Sequence, residues 1–408
     1  MKCRYCQTEL EYVFLDLGFA PPSNAYLSRE DLRAPEVTYP LKIFVCNKGW
    51  LVQTEDYTEA KKLFSRDYAY FSSTSKSWLE HSSQYAKMIS EHLNLNEKSF
   101  VVEIASNDGY LLKNFVGNKI PCLGIEPTES TANEAERIGV PVLREFFSEN
   151  IALSLLKEGK SADLICGNNV YAHVPNIKEF TKGLKILLKK DGLINLEFPH
   201  LMRLIENNQF DTVYHEHFSY LSLTFVSRIF FETGLRLYDV EELKTHGGSL
   251  RIYGCHIDDP RPTKVSISNL LKKEEMFGLK NINTYLNFQE KANRVKNIFL
   301  EFLLKEKLEG KTIAAYGAAA KGNTLLNFAG IKNDLIGFVC DAAYSKQNKF
   351  LPGSHIPILP PTELINKKPD WVIIFPWNIA DEIIIQQKEI YSWGGKFVIA
   401  VPELRVFQ

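Results

Sequence analysis

Four apolar segments, Phe100 to Ala105, Cys122 to Glu126, Asp163 to Gly167 and Gly192 to Phe198, recur along the middle of the chain, each followed by polar or helical sequence. Apolar runs too short for a helix and bounded by turn residues read as buried strands. Strands that alternate with helices run parallel, with helices covering both faces of the sheet. Trp78 to Leu95 reads as the helix that leads into the first strand. A second series begins after about residue 240 with the helical stretch Thr284 to Leu308, whose Tyr285, Phe288, Ala292, Val295, Phe299 and Phe302 are its apolar positions. Lys311 to Tyr316, Leu335 to Asp341, Trp371 to Phe375 and Lys396 to Val401 follow as strands. The expected fold class is therefore α/β, with two doubly wound sheets. Ahead of them, residues 1–70 are turn-rich and show little periodic structure. With 408 residues the chain exceeds what one core usually holds. The expected division is 1–70, 71–240 and 241–408.

Composition removes several partners. The chain carries 48 basic and 49 acidic side chains, a net charge of -1 that gives no general attraction to nucleic acid. No apolar run is long enough to span a membrane. The start, MKCRYCQTEL, lacks the apolar stretch of a secretory signal, which points to the cytoplasm. In that reducing compartment the seven cysteines are not expected to form a disulfide framework. Oligomeric state is not legible.

Ligands of a doubly wound sheet bind beyond the carboxyl ends of its strands, where a turn exposes backbone N–H groups at a helix start. Glu103-Ile-Ala-Ser106-Asn107-Asp108-Gly109 stands at that place. Gly109 allows close approach of the backbone, and Asn107 and Asp108 supply polar groups for a cationic amino acid moiety. Glu126, at the end of the second strand, can accept both hydroxyls of a ribose. The dinucleotide pattern is absent. The motif resembles instead the S-adenosylmethionine site of class I methyltransferases, with Ser106 in the turn and Asn168 and Asn169, which end the third strand, flanking the adenosine. The blander alternative is a generic nucleotide turn with Glu126 as a helix cap.

Two aromatic and imidazole clusters follow strand ends: Val170-Tyr171-Ala172-His173 and Tyr214-His215-Glu216-His217. Methyl transfer to carbon needs a base to remove a proton beside a carbonyl and a donor to hold the oxyanion, roles that suit histidine and tyrosine. His215, Glu216 and His217 could equally form a metal site, or lie satisfied in a core. Cys3-x-x-Cys6 is half of a zinc ribbon and Cys46 could begin the other half, but Gly49 stands where the fourth ligand belongs. Near the carboxyl end, Gly317-Ala-Ala-Ala-Lys321-Gly322-Asn323 is a small-residue turn fit either for a diphosphate or for tight packing of helix on sheet.

Together these landmarks resemble a known family, the sugar C-methyltransferases that act on nucleotide-linked 4-keto-6-deoxyhexoses. The resemblance runs over nearly the whole chain: Cys3-x-x-Cys6, Leu51-Val52-Gln53, Tyr68 to Ser75, Glu103 to Tyr110, Tyr214 to His217, His246-Gly-Gly-Ser-Leu-Arg251 and Gly317 to Thr324. It implies a zinc-binding amino-terminal domain, a class I methyltransferase domain and a Rossmann-like carboxyl-terminal domain that encloses the nucleotide sugar. It also implies His217 as the base at C3, Tyr214 and Glu216 beside it, and Tyr68 and His173 around the reacting carbon. Gly317, Lys321, Gly322 and Asn323 would meet the substrate. Gly49 departs from the family pattern. Two other functions were weighed: a nicotinamide-dependent oxidoreductase of a nucleotide sugar, and a non-catalytic zinc-ribbon binding module.

Overall fold

The computed structural model describes residues 1–57, 63 and 71–407. Its amino-terminal part is a four-stranded antiparallel sheet of β1 (Tyr12–Ala20), β2 (Tyr39–Val45), β3 (Val52–Thr54) and, from much later in the chain, β9 (Ser219–Tyr220). Strand β2 buries Leu41, Ile43 and Val45 at period two, as a half-buried strand must. Strand β1 loses that alternation through register shifts between Val13 and Leu15 and between Asp16 and Phe19. Those irregularities hide it from a periodicity reading.

The middle sheet has seven strands: β4 (Val101–Ile104), β5 (Cys122–Ile125), β6 (Val142–Leu143), β7 (Ala162–Asn168), β8 (Leu188–Pro199), β10 (Leu235–Leu243) and β11 (Ser249–His256). They lie in the order β10-β11-β8-β7-β4-β5-β6, with β11 antiparallel to both its neighbours. The order reverses beside β4, so the crevice beyond β4 and β7 is the topological switch point where ligands bind. Helix Lys76–Leu93 enters this unit, N-capped by the Ser75 hydroxyl accepting from the Trp78 N–H and ended by Asn94 in the left-handed region.

The third sheet runs β14 (Ile358–Leu359), β13 (Val339–Cys340), β12 (Ile313–Tyr316), β15 (Trp371–Ile374), β16 (Lys396–Ile399) and β17 (Arg405–Phe407), all parallel but the last. The strand expected over Leu335 to Asp341 shrinks to Val339–Cys340, because the Leu335 and Ile336 N–H groups turn back to the Lys332 carbonyl. Helix Phe288–Leu308 buries Phe288, Ala292, Val295, Phe299 and Leu303 in one core that also takes Phe14, Ile43, Ile313 and Ile373. The first and third sheets thus share a hydrophobic core. Among the described residues no helix is long and apolar enough to cross a membrane.

Candidate active site

A cavity of about 880 Å³ opens beyond the carboxyl ends of β4 and β7. Segments at the ends of all three sheets contribute to its wall: Asn24 after β1 and His217 before β9 of the first, Asn107 and Asn169 after β4 and β7 of the second, and Lys321 and Asn378 after β12 and β15 of the third.

The turn after β4 shapes the first end of the cavity. Ala105 and Asn107 both take positive φ, 56° and 50°, and Gly109 takes 75°. A Cβ on Gly109 would press on Ala135 and Val140 at 3.1 Å, so glycine lets the turn sit against helix Glu129–Arg137, which follows β5. Asn107, Glu126, Asn168 and Asn169 line the cavity; Glu103, Ser106, Asp108 and Gly109 do not. Glu103 and Ser106 are wholly buried behind the wall, and burial holds the Glu103 carboxyl far above the usual range. Asp108 accepts the Ser73 N–H at 3.0 Å, while Asn107 accepts the Ser72 N–H at 2.9 Å. The Glu126 carboxylate accepts the N–H groups of Asn107 and Thr128, each at 2.9 Å, which fixes its plane at the cavity edge. Asn168 donates to the Tyr110 hydroxyl at 3.1 Å. Asn169 gives its amide N–H to His246 Nε2 at 3.0 Å, and its buried Oδ1 has no hydrogen-bond partner among the described residues. A polar rim with an unspent acceptor fits the adenosine and amino acid ends of S-adenosylmethionine.

At the opposite wall stand the imidazoles. The His217 ring lies 4.0 Å from the Tyr214 ring and 4.6 Å from the His173 ring, centroid to centroid. Its Nδ1 lies 2.9 Å from the Thr212 carbonyl, and His173 Nδ1 lies 2.6 Å from the Glu216 carbonyl. A carbonyl only accepts, so each Nδ1 carries the proton and each neutral ring keeps its basic lone pair on Nε2. Burial, with His173 next to it, holds the His217 pKa well below the ordinary histidine value, and burial holds His173 at about 4. Both rings are therefore neutral at neutral pH.

Glu216 does not line the cavity but lies behind the wall residue Asn24, whose amide its Oε1 accepts at 3.1 Å, and burial raises its pKa. His215 also points outward, to the Pro40 carbonyl at 3.2 Å. The two histidines of the motif thus lie on different faces and share no metal. Tyr68 falls outside the described residues.

From the third sheet, Gly317 and Lys321 line the cavity, whereas Gly322 and Asn323 do not. A Cβ on Gly322 would stand 2.7 Å from the Phe375 ring, and Asn323 donates to the Ser23 carbonyl at 2.6 Å. These two serve packing. Lys321 Nζ donates to Asn378 at 2.7 Å and lies 4.3 Å from the centre of the Trp377 ring. Burial lowers its pKa to about 8, with Asp211 opposing the fall. Trp78, His81 and His246 also face the cavity without having been singled out as site residues, although His246 stands in the His-Gly-Gly landmark. Gly247, at φ 86°, admits Trp377 so closely that a Cβ would come within 2.4 Å of its ring.

Among the described residues, Cys3, Cys6 and Cys46 are the one group of histidine, cysteine or acidic residues whose ligand atoms converge, all within 4.8 Å. They lie at the amino-terminal end, apart from the cavity wall.

Three family models match consecutive stretches: a zinc binding domain of methyltransferases over residues 3–64, a methyltransferase domain over 78–240 and a C-methyltransferase C-terminal domain over 244–402. The C-methyltransferase NovU of Streptomyces niveus is 33% identical over 405 residues, spanning 99% of this chain and 96% of that protein. Among solved structures, a methyltransferase from Clostridium acetobutylicum covers 44% of this chain and 92% of its own at 12% identity and a TM-score of 0.36. Magnesium protoporphyrin IX methyltransferase from Synechocystis covers 44% of this chain and 83% of its own, at 12% identity and a TM-score of 0.35.

Proposed function

The chain belongs to the S-adenosylmethionine-dependent C-methyltransferases with a zinc-binding module and a C-methyltransferase carboxyl-terminal domain, and on that premise we propose that it methylates C3 of a nucleotide-linked 4-keto-6-deoxy sugar, with His217 as the base. Family membership sets aside the oxidoreductase and the non-catalytic module. The observation that carries the assignment of His217 is its tautomer: Nδ1–H is committed to the Thr212 carbonyl, so Nε2 is the basic nitrogen of a ring in the cavity wall.

A 4-keto group acidifies the neighbouring C3–H bond. His217 Nε2 takes that proton, and the electron pair spreads onto the keto oxygen as an enolate. Tyr214 keeps the imidazole plane in place by ring contact, the Tyr68 hydroxyl is assigned to the enolate oxygen, and His173, whose Nε2 carries no proton, to the side of the reacting carbon. When bound, S-adenosylmethionine would supply the electrophilic methyl group: C3 bonds to it as the methyl–sulfur bond breaks, and the electron pair leaves on the sulfur of S-adenosylhomocysteine. Asn107, Glu126, Asn168 and Asn169 would hold it, and holding both reactants in one cavity contributes several orders of magnitude through effective molarity. We further assign a structural zinc to the three clustered thiols.

The test is incubation with S-adenosylmethionine and a panel of nucleotide-linked 4-keto-6-deoxy sugars in deuterated water, read by mass. The expected result is a gain of one methyl group, and exchange of one C3 proton for deuterium when the methyl donor is left out. No mass change with any sugar would remove the sugar assignment. The pH profile of exchange checks the base. A base must be unprotonated, and lowering its pKa keeps it so in more acid solution. Exchange should therefore hold level as pH falls through about 6.5, the ordinary histidine value, and decline only below it. A break at that ordinary value would exclude the buried His217.

Lys321 is the proposed diphosphate contact. Losing a hydrogen bond to a charged group costs about 1.5–3 kcal/mol, roughly a 10- to 100-fold rise in KM for the nucleotide sugar in Lys321→Met, with the KM for S-adenosylmethionine unchanged. An equal rise for both ligands would sink the assignment. Substitution is cleaner than removing the third sheet, since that would expose Phe14, Ile43 and the rest of the shared core.

A further inference from the structure

We propose that Cys3, Cys6 and Cys46 hold one zinc ion through three sulfurs and leave its fourth position, beside Gly49, to an exchangeable small ligand such as water or an anion. This rests on the assignment of zinc to that cluster. Tetrahedral zinc with sulfur at about 2.3 Å places neighbouring sulfurs about 3.8 Å apart. Cys6 Sγ and Cys46 Sγ already lie at 3.5 Å, and all three sulfurs lie within 4.8 Å of one another. Three corners of the tetrahedron are thus built.

The fourth corner is shaped but empty of a side chain. Cys46-x-x-Gly49 keeps the spacing of Cys3-x-x-Cys6, and the Gly49 N–H donates to Cys46 Sγ at 3.2 Å, a bond that supports a metal-bound thiolate. A Cβ built on Gly49 would lie 3.7 Å from both Cys6 Sγ and Cys46 Sγ, and 3.5 Å from the nearest atom of the Tyr5 ring. All three are ordinary contacts, and Gly49 is not among the residues with positive φ, so a cysteine would fit without strain. Among the described residues no other histidine, cysteine or acidic side chain joins the group. The remaining polar neighbours act on the sulfurs: Gln53 donates to Cys3 Sγ at 3.1 Å, and the Thr8 hydroxyl lies 3.3 Å from Cys6 Sγ.

The site is tied to the imidazole motif. Gln53 lies on β3, which pairs with β9 at Ser219. The next residue, Thr54, donates its N–H to the Phe218 carbonyl at 3.2 Å and its hydroxyl to the His217 carbonyl at 3.3 Å. An ion held at one end of this strand braces the backbone that presents His217. An open coordination position therefore makes the brace more easily lost than a closed four-sulfur site would be.

The test uses cobalt as the probe in the metal-stripped full-length chain and in Gly49→Cys. The parent chain should bind one cobalt ion whose ligand-field bands shift when azide is added. In Gly49→Cys the bands should stay put under azide, and the metal should pass to a chelator on the order of tenfold more slowly. Parent bands that ignore azide would show that the chain itself closes the fourth corner and would overturn the inference, whether or not Gly49→Cys folds. A parent chain that binds no cobalt and no zinc would instead remove the zinc assignment on which it rests.

Discussion

Replacing His217 with asparagine is expected to slow methyl transfer by roughly 10²–10⁴-fold, the usual contribution of general-base catalysis, while S-adenosylmethionine still binds. Asparagine is chosen because its amide N–H can keep the bond to the Thr212 carbonyl, now 2.9 Å from His217 Nδ1. The loop then stays folded and only the basic nitrogen is lost. Alanine would also remove the ring against Tyr214, and a slow alanine enzyme would not separate loss of base from collapse of the wall. The competitor is His173, whose Nδ1–H is pinned in the same manner to the Glu216 carbonyl, leaving its Nε2 lone pair free as well. Deuterium exchange at C3 without the methyl donor distinguishes the two. His217→Asn should abolish exchange, whereas His173→Asn should slow it less. A His217→Asn enzyme retaining a tenth or more of the parent exchange rate would transfer the role to His173.

Why the sequence exposes some of this and conceals the rest has a physical basis. Strands β4, β5 and β7 are buried on both faces, so their apolar runs are continuous and their ends fall within two residues of the expected positions. The turn after β4 announces itself because Gly109 and Asn107 tolerate positive φ. Which of its side chains face a ligand does not follow from spacing. Asp108 turns to Ser73 and Asn107 to Ser72, partners that lie 35 residues earlier in the chain.

The Tyr214 to His217 motif shows the same limit. Its order suggests a metal cluster as readily as a base. Only the approach of Thr212, Asn24 and Pro40 from three directions separates His217, Glu216 and His215 onto different faces. Trp78 and His81 reach the cavity from one helix, a turn apart with their rings stacked, and His246 from a loop about 165 residues later, so no local pattern could join it to them. In the amino-terminal sheet, bulges in β1 erase the period-two signal, and β3 finds its second partner, β9, more than 160 residues away.

Removing the carboxylate of Glu274 is expected to have the largest effect on stability, because this group satisfies more buried donors than its own charge suggests. Glu274 and His200 are both fully buried and paired at 2.7 Å. The same carboxylate accepts the Leu223 N–H, the Thr224 N–H and the Thr224 hydroxyl, at 2.7, 2.7 and 2.6 Å. Leu223 and Thr224 open helix Leu223–Glu232, so the anion also faces the positive end of a helix. Glu274→Ala leaves an imidazole, two N–H groups and a hydroxyl without partners and opens a void. Breaking a buried pair in this way costs about 3–5 kcal/mol, measured as a fall in the denaturant midpoint followed through the middle sheet. His200→Leu with Glu274→Met removes both polar side chains and fills the void, and should recover part of the loss, since a buried pair replaced by apolar groups is often neutral. A fall of less than about 1 kcal/mol in Glu274→Ala, the size of an exposed ion pair, would mean that water reaches the site. It would also mean that helix Leu223–Glu232 is anchored by its apolar face alone.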